Sequence, residues 1–232
     1  LRRANYQGDV GLHVAKCIWG VWELFAERNT DIDEIGKMDL DARVKFLGEA
    51  YVLGAKEYEE AEKVKVEIDE LNKMIYEKED PEVTAVYCLG RKWSLEYFEK
   101  IYEKLGTKFD EYFFESEVGS IGLGLVREFL NKGVFEESQG AVIFNGEKYG
   151  LHTRVFINKL GLPTYEAKDL ALIRTKFERF PYDRSIIVTA NEINEYFNVV
   201  LKAASLIIPD LTERTVHVGH GMLRLKSGKM SS

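Results

Sequence analysis

Cysteine is scarce in this 232-residue chain: Cys17 and Cys88 stand far apart, and no close Cys/His spacing accompanies either. That excludes a disulfide framework and leaves no zinc-binding pattern, so no metal ligand set is expected. No apolar run approaches the ~20 residues that cross a bilayer. The start has no charged stretch followed by an apolar segment, as a signal peptide would. A soluble, cytoplasmic protein without a membrane partner is expected. Internal repeats and low-complexity segments are absent too. Positive charge is in deficit, with a net charge of −7, which at first argues against a nucleic-acid partner. The deficit is local, however. Between residues 31 and 80 there are sixteen Asp/Glu against eight Lys/Arg, a local −8 that leaves +1 for everything else. From Arg214 onward there are four cations and no carboxylate, so an anionic ligand is expected to approach that end.

A hydrophobic content of 45% with 12% aromatics is enough for one large core, or for a core plus a satellite domain. The chain starts at Leu1 rather than Met, and both ends look cut, so a longer protein is expected. Apolar residues at helical spacing predict a buried helix over 12–28, after the turn Gly8-Asp9-Val10-Gly11. Residues 29–108 are charged, lack a strand pattern, and carry Ala55, Tyr58, Ala61, Ile68, Leu71 and Ile75 on amphipathic helices. They read as an all-helical insertion whose acidic runs face solvent, with Ser94 as an N-cap before Leu95.

From Phe109 strands and helices alternate. Extended segments are expected at 109–114, 140–144, 154–157, 185–190 and 215–218, and helices at 118–131, 164–177 and 192–207. Alternation of this kind predicts an α/β fold, a mostly parallel sheet with helices on both faces and ligands beyond the carboxyl ends of the strands. The catalytic domain is then 1–28 with 109–232, interrupted by the insertion at 29–108.

Two constellations could carry chemistry. Gly228-Lys229-Met230-Ser231-Ser232 after an apolar strand is suited to phosphate, since a flexible ammonium, small-residue backbone and hydroxyls can reach the same oxygens. An exposed turn uses the same residue types. Tyr165 and Asp169, four apart at a marked helix start, share one face, where the carboxylate could pair with a guanidinium or an ammonium. A surface Asp beside a half-buried Tyr fits the same pattern. His13 and His152 have no partner at ligand spacing, and Glu115, Ser116 and Glu117 receive no role.

Three motifs in order make the reading specific. Asn5-Tyr6-Gln7-Gly8-Asp9-Val10-Gly11, then Gly161 to Ala171, then His220-Gly221-Met222-Leu223-Arg224-Leu225 leading into Gly228 to Ser232, resemble arginyl-tRNA synthetases, which are class I aminoacyl-tRNA synthetases. The resemblance covers nearly the whole chain. It implies a Rossmann-type catalytic domain that condenses arginine with ATP to arginyl-adenylate, then passes the arginyl group to tRNA(Arg). It implies Tyr165 and Asp169 as arginine-binding. Lys229 corresponds to the lysine that neutralises the departing pyrophosphate, with Ser231 and Ser232 in the same catalytic loop. Gly221 and Met222 would lie along adenine with His220 at the edge, and Glu192 would sit in the stretch that contacts ribose and substrate. ATP with substrate-bound Mg²⁺, arginine and tRNA(Arg) are the implied ligands, and a monomer is expected.

Departures from the family pattern shape the expectation. Ser232 stands where many class I enzymes have a second lysine. Ile193 occupies the place of a Gln and cannot hydrogen-bond through its side chain, which makes Asn191 or Asn194 the candidates to replace it. His217-Val218-Gly219-His220 imitates the His-Ile-Gly-His signature, but lies in a strand entering the Lys229 loop rather than at a helix start. The signature itself is expected before Leu1, so this piece alone is expected to be inactive. Two rival readings remain at this point: a class I ligase for another amino acid such as lysine, and an inactive tRNA-binding paralogue.

Overall fold

The structure, a computed structural model, describes residues 1–221 and divides into two compact units, Leu1–Ser116 and Glu117–Ser232. In the first unit, β1 (Ala4–Gln7) leads into α1 (Leu12–Arg28), α2 (Ile32–Gly36), α3 (Leu40–Glu60), α4 (Glu62–Glu77) and α5 (Pro81–Lys104). It closes with β2 (Glu111–Phe114), which pairs parallel with β1 from Ala4↔Glu111 to Gln7↔Phe114.

Local sequence explains the helix starts. Asp31, Asp39 and Asp80 each accept a backbone N–H of the first turn of α2, α3 and α5, and Pro81 sits at the first position of α5, where its missing N–H costs nothing. Ile18, Val21, Leu24, Phe46, Ala50, Ile68, Leu71, Ile75, Val83, Val86 and Trp93 form the core. At its centre α1 and α3 touch backbone to backbone. A Cβ at Gly20 would come 2.0 Å from the Ala50 carbonyl oxygen, and one at Gly54 would come 2.0 Å from that of Lys16. Because 16 pairs with 54 and 20 with 50, the two helices run antiparallel along this seam.

In the second unit α6 (Glu115–Leu130), whose first two residues belong to the first unit, is followed by β3 (Glu136–Ser138), β4 (Ala141–Phe144) and β5 (Arg154–Ile157). These three strands form an antiparallel sheet in the order β3-β4-β5. Phe135, Phe144 and Phe156 pack at ring-centroid distances of 4.8–6.3 Å and are all buried. Then come α7 (Tyr165–Arg179), β6 (Ser185–Ala190), a 3-10 turn at Asn191–Ile193, α8 (Asn194–Ile207), α9 (Pro209–Glu213) and β7 (Thr215–His220). β6 and β7 pair parallel from Ser185↔Thr215 to Ala190↔His220. α8 buries Phe197, Val199, Val200, Ala203, Ala204 and Ile207.

The α/β class expected from the alternation stands, with additions. Among the described residues the parallel strands lie in two two-stranded pieces, and β3-β4-β5 is antiparallel. β3 has no apolar alternation and is held by its backbone pairing to β4. Residues 29–108 hold only helices, although compactness groups them with α1, β1 and β2. Ser94 does not cap a helix. It lies inside α5, and its hydroxyl donates to the Gly90 carbonyl one turn back, 2.9 Å away.

Candidate functional site

The helix start at α7 is built by the loop before it. Asn158 Oδ1 accepts the N–H groups of Leu160 and Leu162, and Gly161 supplies the left-handed backbone the turn needs, with φ 76°. Thr164 occupies the N-cap of α7. Its hydroxyl serves another purpose: it donates to the carbonyls of Val155 (2.7 Å) and Phe156 (3.2 Å), tying the helix start to β5. The backbone of α6 also closes in on α7, since a Cβ at Gly122 would lie 2.4 Å from the Ala167 carbonyl oxygen. The first turn of α7 is therefore fixed from two directions.

That turn presents Tyr165, 56% exposed, and, four residues on, Asp169. Glu166 between them turns inward and pairs with Arg154 at 3.3 Å. Lys168 is buried, with its ammonium 5.2 Å from the Tyr165 ring centroid. Asp169 Oδ2 accepts the Tyr196 hydroxyl from α8 at 2.5 Å. Further along α7, Lys176 donates to Ser185 Oγ at 2.7 Å. Burial pushes its ammonium down to about 8, against an opposing pull from Asp169.

The second part of the site lies at the carboxyl ends of β6 and β7. The Ala190↔His220 register brings the Asn191–Ile193 turn, which carries Glu192, beside His220 and Gly221. All three of those predicted nucleotide contacts are exposed. His220 Nδ1 lies 2.7 Å from the Gly221 carbonyl oxygen. His217 is in the strand, as expected: Nε2 lies 2.7 Å from Thr189 Oγ1, its ring stacks on Phe197 at 4.1 Å, and burial lowers its pKa. It has the surroundings of a packed strand side chain, not of a phosphate ligand. Lys229, Ser231, Ser232 and Met222 lie outside the described residues.

Two further placements concern the segment after β6. Asn194 faces β7, where a Cβ at Gly219 would come 2.3 Å from its Oδ1. The Tyr196 hydroxyl, which no motif singled out, reaches Asp169 from α8. Its signal was available only as a phenol one turn into a helix that follows Glu192.

In the first unit the motif 5–11 resolves into a buried junction. Asp9 accepts Ser116 N (2.9 Å), Ser116 Oγ (2.7 Å), Arg91 Nε (2.6 Å) and a longer bond from the Tyr87 hydroxyl (3.4 Å). Ser116, left unassigned from sequence, thus belongs to this cluster. Glu117 pairs with Arg179 in the second unit. A cavity of about 440 Å³, lined mainly by apolar residues of α1, α3 and α5, also borders Asp9 and Arg91.

Comparison with known proteins bears on the family and the fold. The family model for class I (R) tRNA synthetases, catalytic domain, matches residues 1–232. Arginine–tRNA ligases of Bacteroides fragilis and Borreliella burgdorferi are 28% and 27% identical, over 99% and 100% of the chain. The chain spans 40% of the length of each. The crystal structure of arginyl-tRNA synthetase from Plasmodium falciparum superposes with a TM-score of 0.69 at 18% identity, covering 95% of this chain and 36% of that one. At that identity the likeness is one of fold.

Proposed function

The chain belongs to the family of class I (R) tRNA synthetase catalytic domains, and from that premise we propose that it forms the core of a ligase joining arginine to tRNA(Arg) through an arginyl-adenylate. The observation that carries this reading is the Asp169 carboxylate on α7, one turn from exposed Tyr165 and hydrogen-bonded to α8, whose start adjoins the β6–β7 ends. A carboxylate offers a guanidinium two parallel hydrogen bonds, and a phenol ring beside it can line the aliphatic stem. The strand ends, with Glu192, His220 and Gly221, are where an α/β fold receives a nucleotide.

In this reading the α-carboxylate of arginine attacks the α-phosphorus of ATP, the bond to the β-phosphate breaks, and pyrophosphate leaves. The nucleophile is already ionised and needs no general base. Lys229 neutralises charge on the leaving group, with the Ser231 and Ser232 hydroxyls beside it. Mg²⁺ would enter with ATP, bound to its phosphates, and would supply positive charge to the leaving pyrophosphate. A ribose hydroxyl of tRNA then attacks the carbonyl carbon and AMP departs. Residues 1–28 with 109–232 make up the catalytic part and 29–108 an insertion. The protein acts as a cytoplasmic monomer, and among the described residues no helix is long and apolar enough to cross a membrane.

The test is ATP–pyrophosphate exchange by the full-length protein across a panel of amino acids, with and without tRNA. Arginine should support exchange. Exchange with lysine and none with arginine would overturn the reading. Lys229→Ala should lower adenylate formation far more than arginine binding, and equal losses in both would count against the role given to that loop.

A further inference from the structure

We propose that Tyr196 is a positioning residue that orients the Asp169 carboxylate for a planar guanidinium, and so contributes to the choice of arginine over lysine. The inference rests on the arginine-ligase reading of the same site.

Four groups close a circuit. The Tyr196 hydroxyl donates to Asp169 Oδ2 at 2.5 Å. The ring that carries the hydroxyl is held by Arg154, whose guanidinium carbon lies 5.3 Å from its centroid, and by Phe197, edge-on at 5.1 Å. Arg154 is in turn paired with Glu166 at 3.3 Å, and Glu166 sits on α7 three residues before Asp169. The circuit therefore runs from α7 to α8, to β5, and back to the same turn of α7. A phenol fixed at its ring has little freedom at its oxygen, and a carboxylate bonded to that oxygen loses rotation about its last torsion.

The chemistry of the ligand makes that rotation matter. A guanidinium pairs side-on through two parallel N–H groups and requires the carboxylate plane to be aligned. An ammonium is a point charge with rotatable donors and tolerates any plane. Holding the carboxylate still therefore favours arginine more than lysine. The place where the family commonly has a Gln holds Ile193, which offers no hydrogen bond, and Asn194 is packed against Gly219. Tyr196, from this segment, does reach Asp169.

A purely structural role predicts something different. α8 is anchored by Phe197, Val199, Val200, Ala203, Ala204 and Ile207, all buried, and Tyr196 is not among them. Tyr196→Phe keeps the ring and its contacts and removes only the hydroxyl. In the full-length protein it should leave the melting temperature unchanged and the KM for ATP within about twofold of wild type. The KM for arginine in pyrophosphate exchange should rise about 10-fold or more, as expected for one hydrogen bond to a charged group. The ratio of kcat/KM for arginine over lysine should fall. An arginine KM that is unchanged or lower overturns the proposal, and so does a loss shared equally by arginine, ATP and thermal stability. Failure of the wild-type protein to use arginine at all would instead overturn the functional reading on which the proposal stands.

Discussion

Replacing Gly54 with alanine should destabilise the first unit, although alanine is the better helix former. Propensity alone favours alanine in a helix interior by about 0.5–1 kcal/mol. Against this, the new Cβ would lie 2.0 Å from the Lys16 carbonyl oxygen, where ordinary contact begins near 3.4 Å. Neither atom belongs to a flexible side chain, so α1 and α3 must move apart by more than an ångström at that point. A gap of 0.5–1 Å already forfeits a quarter to a half of each dispersion contact it opens. The contacts at stake are those of Ile18, Val21, Phe46 and Ala50. Overpacking of this kind costs about 1–3 kcal/mol, which exceeds the propensity gain. Gly20→Ala, against the Ala50 carbonyl at the same 2.0 Å, should behave alike. Gly48 provides the control within the same helix: nothing lies within 4 Å of its would-be Cβ, so Gly48→Ala should be stabilising by about 0.5–1 kcal/mol. Trp19, Trp22 and Trp93, the three tryptophans of the chain, all fall within Leu1–Ser116, so urea unfolding followed by their fluorescence reads this unit. Equal midpoint shifts for Gly54→Ala and Gly48→Ala would refute the close approach of the two helices.

Asp9→Ala should cost about 3 kcal/mol in the same fluorescence assay, because it leaves Arg91 and the start of α6 without their shared acceptor; a loss below about 1 kcal/mol would show that Asp9 is not the anchor its four donors suggest. Lys176 makes a prediction about pH. Its folded-state pKa of about 8 lies below the ordinary 10.5, so between these values the unfolded chain holds a proton that the folded chain has released, and stability should rise with pH across that window. Circular-dichroism unfolding of wild type and Lys176→Met between pH 8 and 10.5 checks it; a stability difference that does not change with pH would contradict the burial of that ammonium.

Elements whose own side chains carry a period were legible in the sequence. The expected boundaries of α1, β5 and β6, Leu12–Arg28, Arg154–Ile157 and Ser185–Ala190, recur in the structure. What escaped depends on partners distant in the chain. β3, Glu-Glu-Ser, exists because its backbone pairs with β4, and three polar residues give no alternation to read. Ser94 imitates an N-cap, but its hydroxyl bonds back within an uninterrupted α5 whose real cap is Asp80. Tyr165 and Asp169 were legible because one helical turn puts them on one face. Tyr196 was not, since it meets Asp169 from another helix 27 residues away.

The two aspartates of the family-like motifs differ in burial, Asp9 buried and Asp169 only partly so. An ionised carboxylate has about four acceptor sites. Asp9 is buried and receives four donors from α5 and the start of α6, so it has no capacity left for a cationic ligand. Its motif, Asn5 to Gly11, therefore belongs to architecture: it fastens the loop after β1 to the helices that follow. Asp169 is only partly buried and sits on a turn whose neighbour Tyr165 is exposed, and its Oδ2 accepts the Tyr196 hydroxyl. Its negative charge already acts on the Lys176 ammonium, and under the proposed function it would also meet the guanidinium of arginine. The motif sequence ranks the two acids alike; burial among four donors makes Asp9 a fastening, while the proposed function makes the part-exposed Asp169 a recognition group.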